Sequence, residues 1–161
     1  MTTSAHPLKT EIKRILVPTD FSERSKKALL YARALAEKQH AEIDLLHVIS
    51  LSDEGAIYGS AYYPVYEKEF LDASDKQLDE MLKSVEAPEG ELKTFTRSGS
   101  PVHEIVEFAQ ENEIDLIVIA THGHRGLKHF LLGSTTENVI RHAKCPVLVV
   151  RENEHEFVSE T

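Results

Sequence analysis

Short apolar, β-branched segments alternate along this chain with segments whose apolar residues recur at helical spacing. The order of elements reads β-α-β-α-β-α-β-α-β. Such alternation is typical of an α/β fold in which a parallel sheet carries helices on both faces, connected by right-handed crossovers. The predicted strands are residues 12–18, 43–49, 91–97, 115–120 and 146–151.

Capping residues mark where the predicted helices begin. Ser22 precedes the first helix, and Glu23 lies in its first turn, where a carboxylate is favourable. A second helix is predicted over residues 67–85, after a loop at 50–64. Ser100 followed by Pro101 starts the third helix. Ser134 and Glu137 have capping-box spacing, which predicts a fourth helix opened by Gly133 and Ser134.

Length and charge restrict the class of protein. The 161 residues suit one domain, predicted over 12–151 between a flexible start at 1–11 and an acidic flexible tail at 152–161. The net charge of −9 argues against nonspecific binding to nucleic acid or to anionic membranes. A single cysteine and the lack of any apolar run near about 18 residues predict a cytoplasmic protein without membrane insertion.

The loop after the fourth strand carries the strongest functional signal. In parallel sheets, ligands bind beyond the carboxyl ends of the strands, where the strand order reverses. Glycines allow close approach of the backbone, and a helix N-terminus favours an anion. The residues concerned are Thr121, His122, Gly123, Gly133, Ser134 and Thr135, with basic His124, Arg125, Lys128 and His129. They predict a phosphate cradle, and the alternative is a tight turn plus a capped helix without a ligand.

The first strand ends in Pro18-Thr19-Asp20 at the same edge. A carboxylate there can accept hydrogen bonds from a ribose hydroxyl or an adenine amino group. The alternative is that Asp20 or Ser22 caps the first helix. The sequence contains neither a GxxxxGK[ST] nor a GxGxxG motif, which argues against kinase-like, GTPase and NAD-dependent classes.

Four segments make the sequence similar to the universal stress protein family, in its nucleotide-binding branch. They are ILVPTDFSERSKKAL, IDLLHVI, SGSPVHEIVEFA and DLIVIATHGHRGLKHFLLGSTTENVIRHAKCPVLVVR. The branch is similar in carrying G-x2-G-x9-G-[ST], which falls here on Ala120, Gly123, Gly133 and Ser134. The resemblance implies a Rossmann-like domain of the adenine nucleotide alpha hydrolase-like type, with five parallel strands in the order 3-2-1-4-5.

The resemblance also implies a ligand and a set of contacts. The ligand is ATP, with Mg²⁺ carried on its phosphates. The adenine and ribose contacts fall on Pro18, Thr19, Asp20 and the backbone of Val48. The phosphate contacts fall on Gly123, Gly133, Ser134 and Thr135, while Ile119, Ala120, Thr121 and His122 line the site. Homodimers of the family resemble one another in pairing the last strand, here Pro146 to Val150.

Several functions remain open at this point. The first is a regulatory ATP-binding module, because no general base is evident. A slow ATPase is an alternative, with His122 or His124 orienting water and Arg125 or Lys128 stabilising charge. AMP or cyclic AMP could replace ATP. A nucleotide-free dimeric interaction module is the fourth, since alanine replaces the first motif glycine at Ala120.

Three other features admit two interpretations each. The tyrosines between Tyr58 and Tyr66 either pack a helix start against the sheet or form a lid or partner surface. The histidines His103, His122, His124, His129 and His142 raise a metal hypothesis, although their spacing matches no zinc motif. Cys145 is either structural or redox-active.

Overall fold

A computed structural model describes residues 11–50, 63–85, 92–121, 133–152 and 158. These residues form one five-stranded parallel sheet with the order β3-β2-β1-β4-β5, which confirms the expected topology. The elements are β1 (Arg14–Thr19), α1 (Glu23–Gln39), β2 (Glu42–Ser50), α2 (Tyr63–Ser84), β3 (Leu92–Gly99), α3 (Pro101–Glu111), β4 (Leu116–Ala120), α4 (Ser134–His142) and β5 (Val147–Val150).

The sheet is buried on both faces, which is why its central strands read as apolar runs. Successive side chains of a strand point to opposite faces. Ile15 and Val17 of β1 therefore pack with α1 and α2 in one core cluster. Leu16, between them, packs with α3 and α4 in the second cluster. Helices thus cover both faces, as the alternation of elements predicted.

Two helix starts differ from the sequence-based boundaries. Helix α2 begins at Tyr63, one turn before residue 67, and takes in Pro64, because proline is tolerated in the first turn of a helix. The capping-box prediction at α4 is wrong: Gly133 is the N-cap, and no side chain caps the helix there. Ser134 is already helical, and Glu137 pairs with Arg141 one turn later, at 2.9 Å, instead of reaching back.

The chain that follows β5 is attached to α1. Arg24 Nε lies 3.0 Å from Glu152 Oε2, and Lys27 Nζ donates to the carbonyls of Arg151 and Glu152 at 3.1 and 3.0 Å. Val158 packs against the core cluster on the α1 face. None of the helices in the described part of the chain has the length and apolar content that crossing a membrane requires.

Candidate functional site

The strand order reverses between β1 and β4. These strands lie side by side and pair at Ile15↔Leu116 and Leu16↔Ile117. From β1 the chain proceeds to β2 on one side, and from β4 it proceeds to β5 on the other. In open parallel sheets, ligands bind beyond the carboxyl ends of two such strands, where their outgoing connections diverge. The candidate site therefore lies at the ends of β1 and β4.

Helix α4 is fixed to the end of β4 by two hydrogen bonds. The Gly133 N–H donates to the Thr121 carbonyl at 2.5 Å, and the buried Thr136 hydroxyl donates to the Ala120 carbonyl at 2.7 Å. The Thr121 N–H in turn donates to the Val150 carbonyl of β5 at 3.1 Å. The start of the helix is thereby held beside the switch point, although eleven residues separate Thr121 from Gly133 in sequence.

The first turn of α4 has the features of an anion-receptive helix end. The first N–H groups of any α-helix have no acceptor within the helix, and the helix dipole makes them favourable to negative charge. The cap itself is a glycine, so the N-cap residue has no side chain that could accept from these groups. Ser134 is exposed and Thr135 half-buried, which leaves hydroxyl-bearing residues at the start of the helix.

The end of β1 forms a tightly hydrogen-bonded turn. The Thr19 hydroxyl is 2.9 Å from Ser25 Oγ and accepts the Phe21 N–H at 3.0 Å. Asp20 Oδ1 accepts from Ser22 N at 3.1 Å and from Ser22 Oγ at 2.6 Å, while Ser22 Oγ accepts the Ser25 N–H. Ser22 is thus the N-cap of α1. Asp20 supports that cap and stands at the carboxyl edge, so both readings of its role are compatible with the structure.

A histidine that the sequence analysis did not single out holds this turn from β2. His47 lies opposite Thr19 in the register, and its Nδ1 is 2.9 Å from the Thr19 carbonyl. Its ring packs on Phe21, with centroids 4.3 Å apart. Burial lowers the pKa of His47, and the Thr19 carbonyl and the Asp20 charge offset part of that effect. The available signal was a histidine near the end of an otherwise apolar run.

Ala120, which replaces the first motif glycine, occupies a site that accepts a side chain. It is the last residue of β4 and is not among the described residues with positive φ. It is 7% exposed and belongs to the core cluster on the α1 face. Its methyl group therefore packs into the core, and neither backbone conformation nor crowding requires glycine there.

The other sequence-predicted site residues divide into two groups. Pro18 and Ile119 are buried strand residues, and Val48 lies one residue beyond the partner of Thr19, at the level of Asp20. Their backbones reach the carboxyl edge. His122, Gly123, the basic residues of their loop and the tyrosines from Tyr58 to Tyr62 lie outside the described residues.

The remaining candidate groups lie away from the ends of β1 and β4. His103 Nε2 is 3.6 Å from Glu107, which also lies within 4.0 Å of Arg97, so this exposed set already has internal charge pairing. Cys145 borders a cavity of about 280 Å³ at the amino edge of the sheet. Burial raises the pKa of its thiol, which is typical of an unreactive cysteine.

A doubly wound parallel sheet with a glycine-capped helix N-terminus at its switch point is characteristic of nucleotide-binding α/β proteins. The sequence model of the Universal stress protein family matches residues 11–151. The chain belongs to this family.

Individual relatives cover most of the chain. It is 34% identical over 144 residues to universal stress protein MJ0531 of Methanocaldococcus jannaschii, spanning 89% of this chain and 85% of the relative. The solved structure of MJ0577 from the same organism superposes with a TM-score of 0.79 at 32% identity, over 91% of this chain and all of that one. The solved structure of a universal stress protein in complex with cAMP superposes with a TM-score of 0.61 at 25% identity, over 88% of this chain and 98% of that one.

Proposed function

We propose that this chain is a regulatory module that binds ATP with Mg²⁺ at the carboxyl ends of β1 and β4. The observation that carries the proposal is the anchoring of Gly133 and Thr136 at the end of β4, the strand that neighbours β1 at the switch point. The N-terminus of α4 suits phosphate, and the end of β1 offers the Asp20 carboxylate. Family membership and the relative crystallised with cAMP support an adenine nucleotide.

The proposed contacts follow from the position of each element. Asp20 and the backbones of Pro18, Thr19 and Val48 receive adenine and ribose. The phosphates lie against the N-terminus of α4, within reach of Gly133, Ser134 and Thr135, while residues 119–121 line the site. For Gly123 as a phosphate contact and His122 as a lining residue, the support is family membership alone. Magnesium keeps most of its waters and is held chiefly by phosphate oxygens, so few protein ligands are needed.

The first experiment identifies the ligand. Freshly purified protein is denatured, released nucleotide is identified, and nucleotide-free protein is titrated with ATP, AMP and cyclic AMP in the presence of magnesium. We expect ATP to bind most tightly. Tighter binding of AMP or cyclic AMP would change the assigned ligand and leave the assigned site unchanged. Binding of none of the three would contradict the proposal and leave a nucleotide-free interaction module.

A matched pair of helix-cap variants locates the site. Gly133 has φ −73° and ψ 153°, which any residue can adopt, so Gly133→Leu should fold while its side chain obstructs the phosphates. Ser100 is the N-cap of α3 and likewise makes no side-chain cap hydrogen bond, but it follows β3 at the edge of the sheet. Gly133→Leu should abolish ATP binding and Ser100→Leu should retain it. Equal affinities would refute the assignment.

Hydrolysis is measured in the same preparations. For a regulatory module we expect no sustained phosphate release from ATP. Steady turnover that disappears in His122→Ala would identify the slow ATPase instead, whereas turnover that survives the change does not depend on His122.

We propose further that two copies pair through β5. This strand lies at one edge of the sheet. The carbonyl of Pro146, just before β5, accepts from the Ile117 N–H of β4, and the Val150 carbonyl accepts from the N–H of Thr121, just after β4. Because hydrogen-bonding direction alternates along a parallel strand, the N–H and C=O of Val149 point outward. An apolar edge with outward-pointing backbone groups can receive a second strand.

A proline variant tests that pairing. Val149→Pro removes the outward N–H without removing a bond to β4, and Val149→Thr keeps the N–H and the shape. Sedimentation should show a dimer for the wild type and for Val149→Thr, and a monomer for Val149→Pro. A dimer in all three would place the interface elsewhere, and a monomeric wild type would exclude it.

A further inference from the structure

His47 belongs to β2, whereas Asp20 directly follows β1, yet His47 contacts the residues on both sides of Asp20. A carbonyl oxygen only accepts hydrogen bonds, so the 2.9 Å contact with the Thr19 carbonyl requires that His47 Nδ1 carry the proton. The ring also packs on Phe21. The imidazole thus touches the residue before Asp20 and the residue after it.

Phe21 has a backbone conformation that phenylalanine rarely adopts. Its φ of +63° lies in the left-handed region, which is unfavourable for a bulky residue. Such conformations persist where surrounding contacts hold them, and they concentrate at functional sites. Here the holding contacts are the Phe21 N–H to the Thr19 hydroxyl, at 3.0 Å, and the His47 ring.

We propose that His47 is a positioning residue of the nucleotide site, which holds the Thr19–Phe21 turn so that the Asp20 carboxylate meets the ribose hydroxyls. The inference rests on the proposed function. It assigns His47 no direct contact with nucleotide: the residue acts by fixing the backbone on both sides of Asp20. Its effect should therefore be confined to the part of the binding energy that comes from ribose.

The ratio of two dissociation constants isolates that part. ATP carries both ribose hydroxyls and 2′,3′-dideoxy-ATP carries neither. The Kd of dideoxy-ATP divided by the Kd of ATP therefore reports the hydroxyl contacts, and loss of these contacts lowers this ratio. A hydrogen bond to a carboxylate is worth about tenfold or more in affinity. His47→Phe keeps a ring against Phe21 but has no donor, and we expect it to lose about tenfold in ATP affinity with little change for the dideoxy analogue.

Three variants separate positioning from general destabilisation. His47→Asn can place an amide donor near the Thr19 carbonyl and should retain most of the ratio. Phe21→Gly adopts the same φ without strain but gives up the ring contact, and should lower the ratio even if the His47 variants fold poorly. Phe95 and Phe108 are in aromatic contact on the face of the sheet covered by α3 and α4, with ring centroids 4.9 Å apart. Phe95→Leu disturbs this contact and should lower the melting temperature without changing the ratio.

A double-mutant cycle completes the test. In an Asp20→Asn background, His47→Phe should have little further effect on the ratio, because both changes remove the same contact. Additive losses, or equal weakening of ATP and dideoxy-ATP, would overturn the positioning role while leaving nucleotide binding intact. A wild-type protein that binds neither nucleotide would overturn the proposed function and this inference with it.

Discussion

Arg14 and Asp44 form an ion pair between neighbouring strands, with Arg14 Nη2 2.6 Å from Asp44 Oδ2. Asp44 is wholly inaccessible to solvent, and its Oδ1 has no hydrogen-bond partner within the described residues. Arg14 Nη1 donates to the Asn112 carbonyl at 2.7 Å, so one guanidinium joins β1, β2 and the end of α3. Burial raises the pKa of Asp44, and the Arg14 charge offsets part of that effect.

Removal of one member of this pair should be costly. Asp44→Ala leaves the half-buried Arg14 charge without its partner, and we expect a loss of about 3 kcal/mol in the free energy of unfolding. Replacing both, as Arg14→Met with Asp44→Leu, should recover much of that loss. Urea denaturation of the wild type, of Asp44→Ala and of the double variant measures both changes. Glu42→Ala, which breaks the exposed pair between Glu42 and Lys93, is the control and should stay close to wild type.

Stability should decrease as the solution is acidified through the range in which histidines titrate. Because burial lowers the pKa of His47 below 6.5, the unfolded chain takes up a proton before the folded one does. Unfolding therefore becomes easier as pH falls below 6.5 towards the lowered value. Thermal denaturation from pH 7.5 to pH 5 should show a weaker dependence in His47→Asn than in the wild type. Identical slopes in the wild type and in His47→Asn would contradict this prediction.

Restoring glycine at position 120 should not improve binding. The Ala120 side chain packs in the core and its φ is not positive, so Ala120→Gly removes a buried methyl group and adds backbone freedom in a strand. We expect a loss of about 1–2 kcal/mol in stability and a nucleotide Kd within about threefold of the wild type. Calorimetric titration beside a denaturation curve measures both, and a large gain in affinity would show that the methyl group obstructs the ligand.

Thr136 should affect both stability and nucleotide affinity. Thr136→Val keeps the shape but deprives the Ala120 carbonyl of a donor at 2.7 Å, which should cost about 1–2 kcal/mol. Of the two hydrogen bonds that fix the start of α4, only the one from the Gly133 N–H to the Thr121 carbonyl then remains. We therefore expect weaker ATP binding. Thr136→Ser keeps the hydroxyl and should bind as the wild type does. Weakened stability with unaltered affinity would mean that this bond does not orient the phosphate site.

The sheet was predictable because its information is local. Continuous apolar runs such as residues 43–49 indicate strands covered on both faces, and alternation with helices imposes parallel pairing. The strand order came from the resemblance of whole segments. The start of α4 was not predictable in the same way, because both Ser134 and Gly133 suit an N-cap. In the structure Gly133 is the N-cap, and its N–H donates to the Thr121 carbonyl.

The sequence by itself determined the type and order of the elements seen in the described residues, the Ser22 cap of α1 and the family to which the chain is similar. Those properties depend on residue spacing within one segment or on motifs continuous in the chain. Tertiary structure decided that His47 meets Thr19, that Arg14 meets Asp44, and that Thr136 meets Ala120. The members of these pairs are 28, 30 and 16 residues apart. Strand register and helix docking bring them together, and no local pattern encodes either one, because both depend on how the whole core packs.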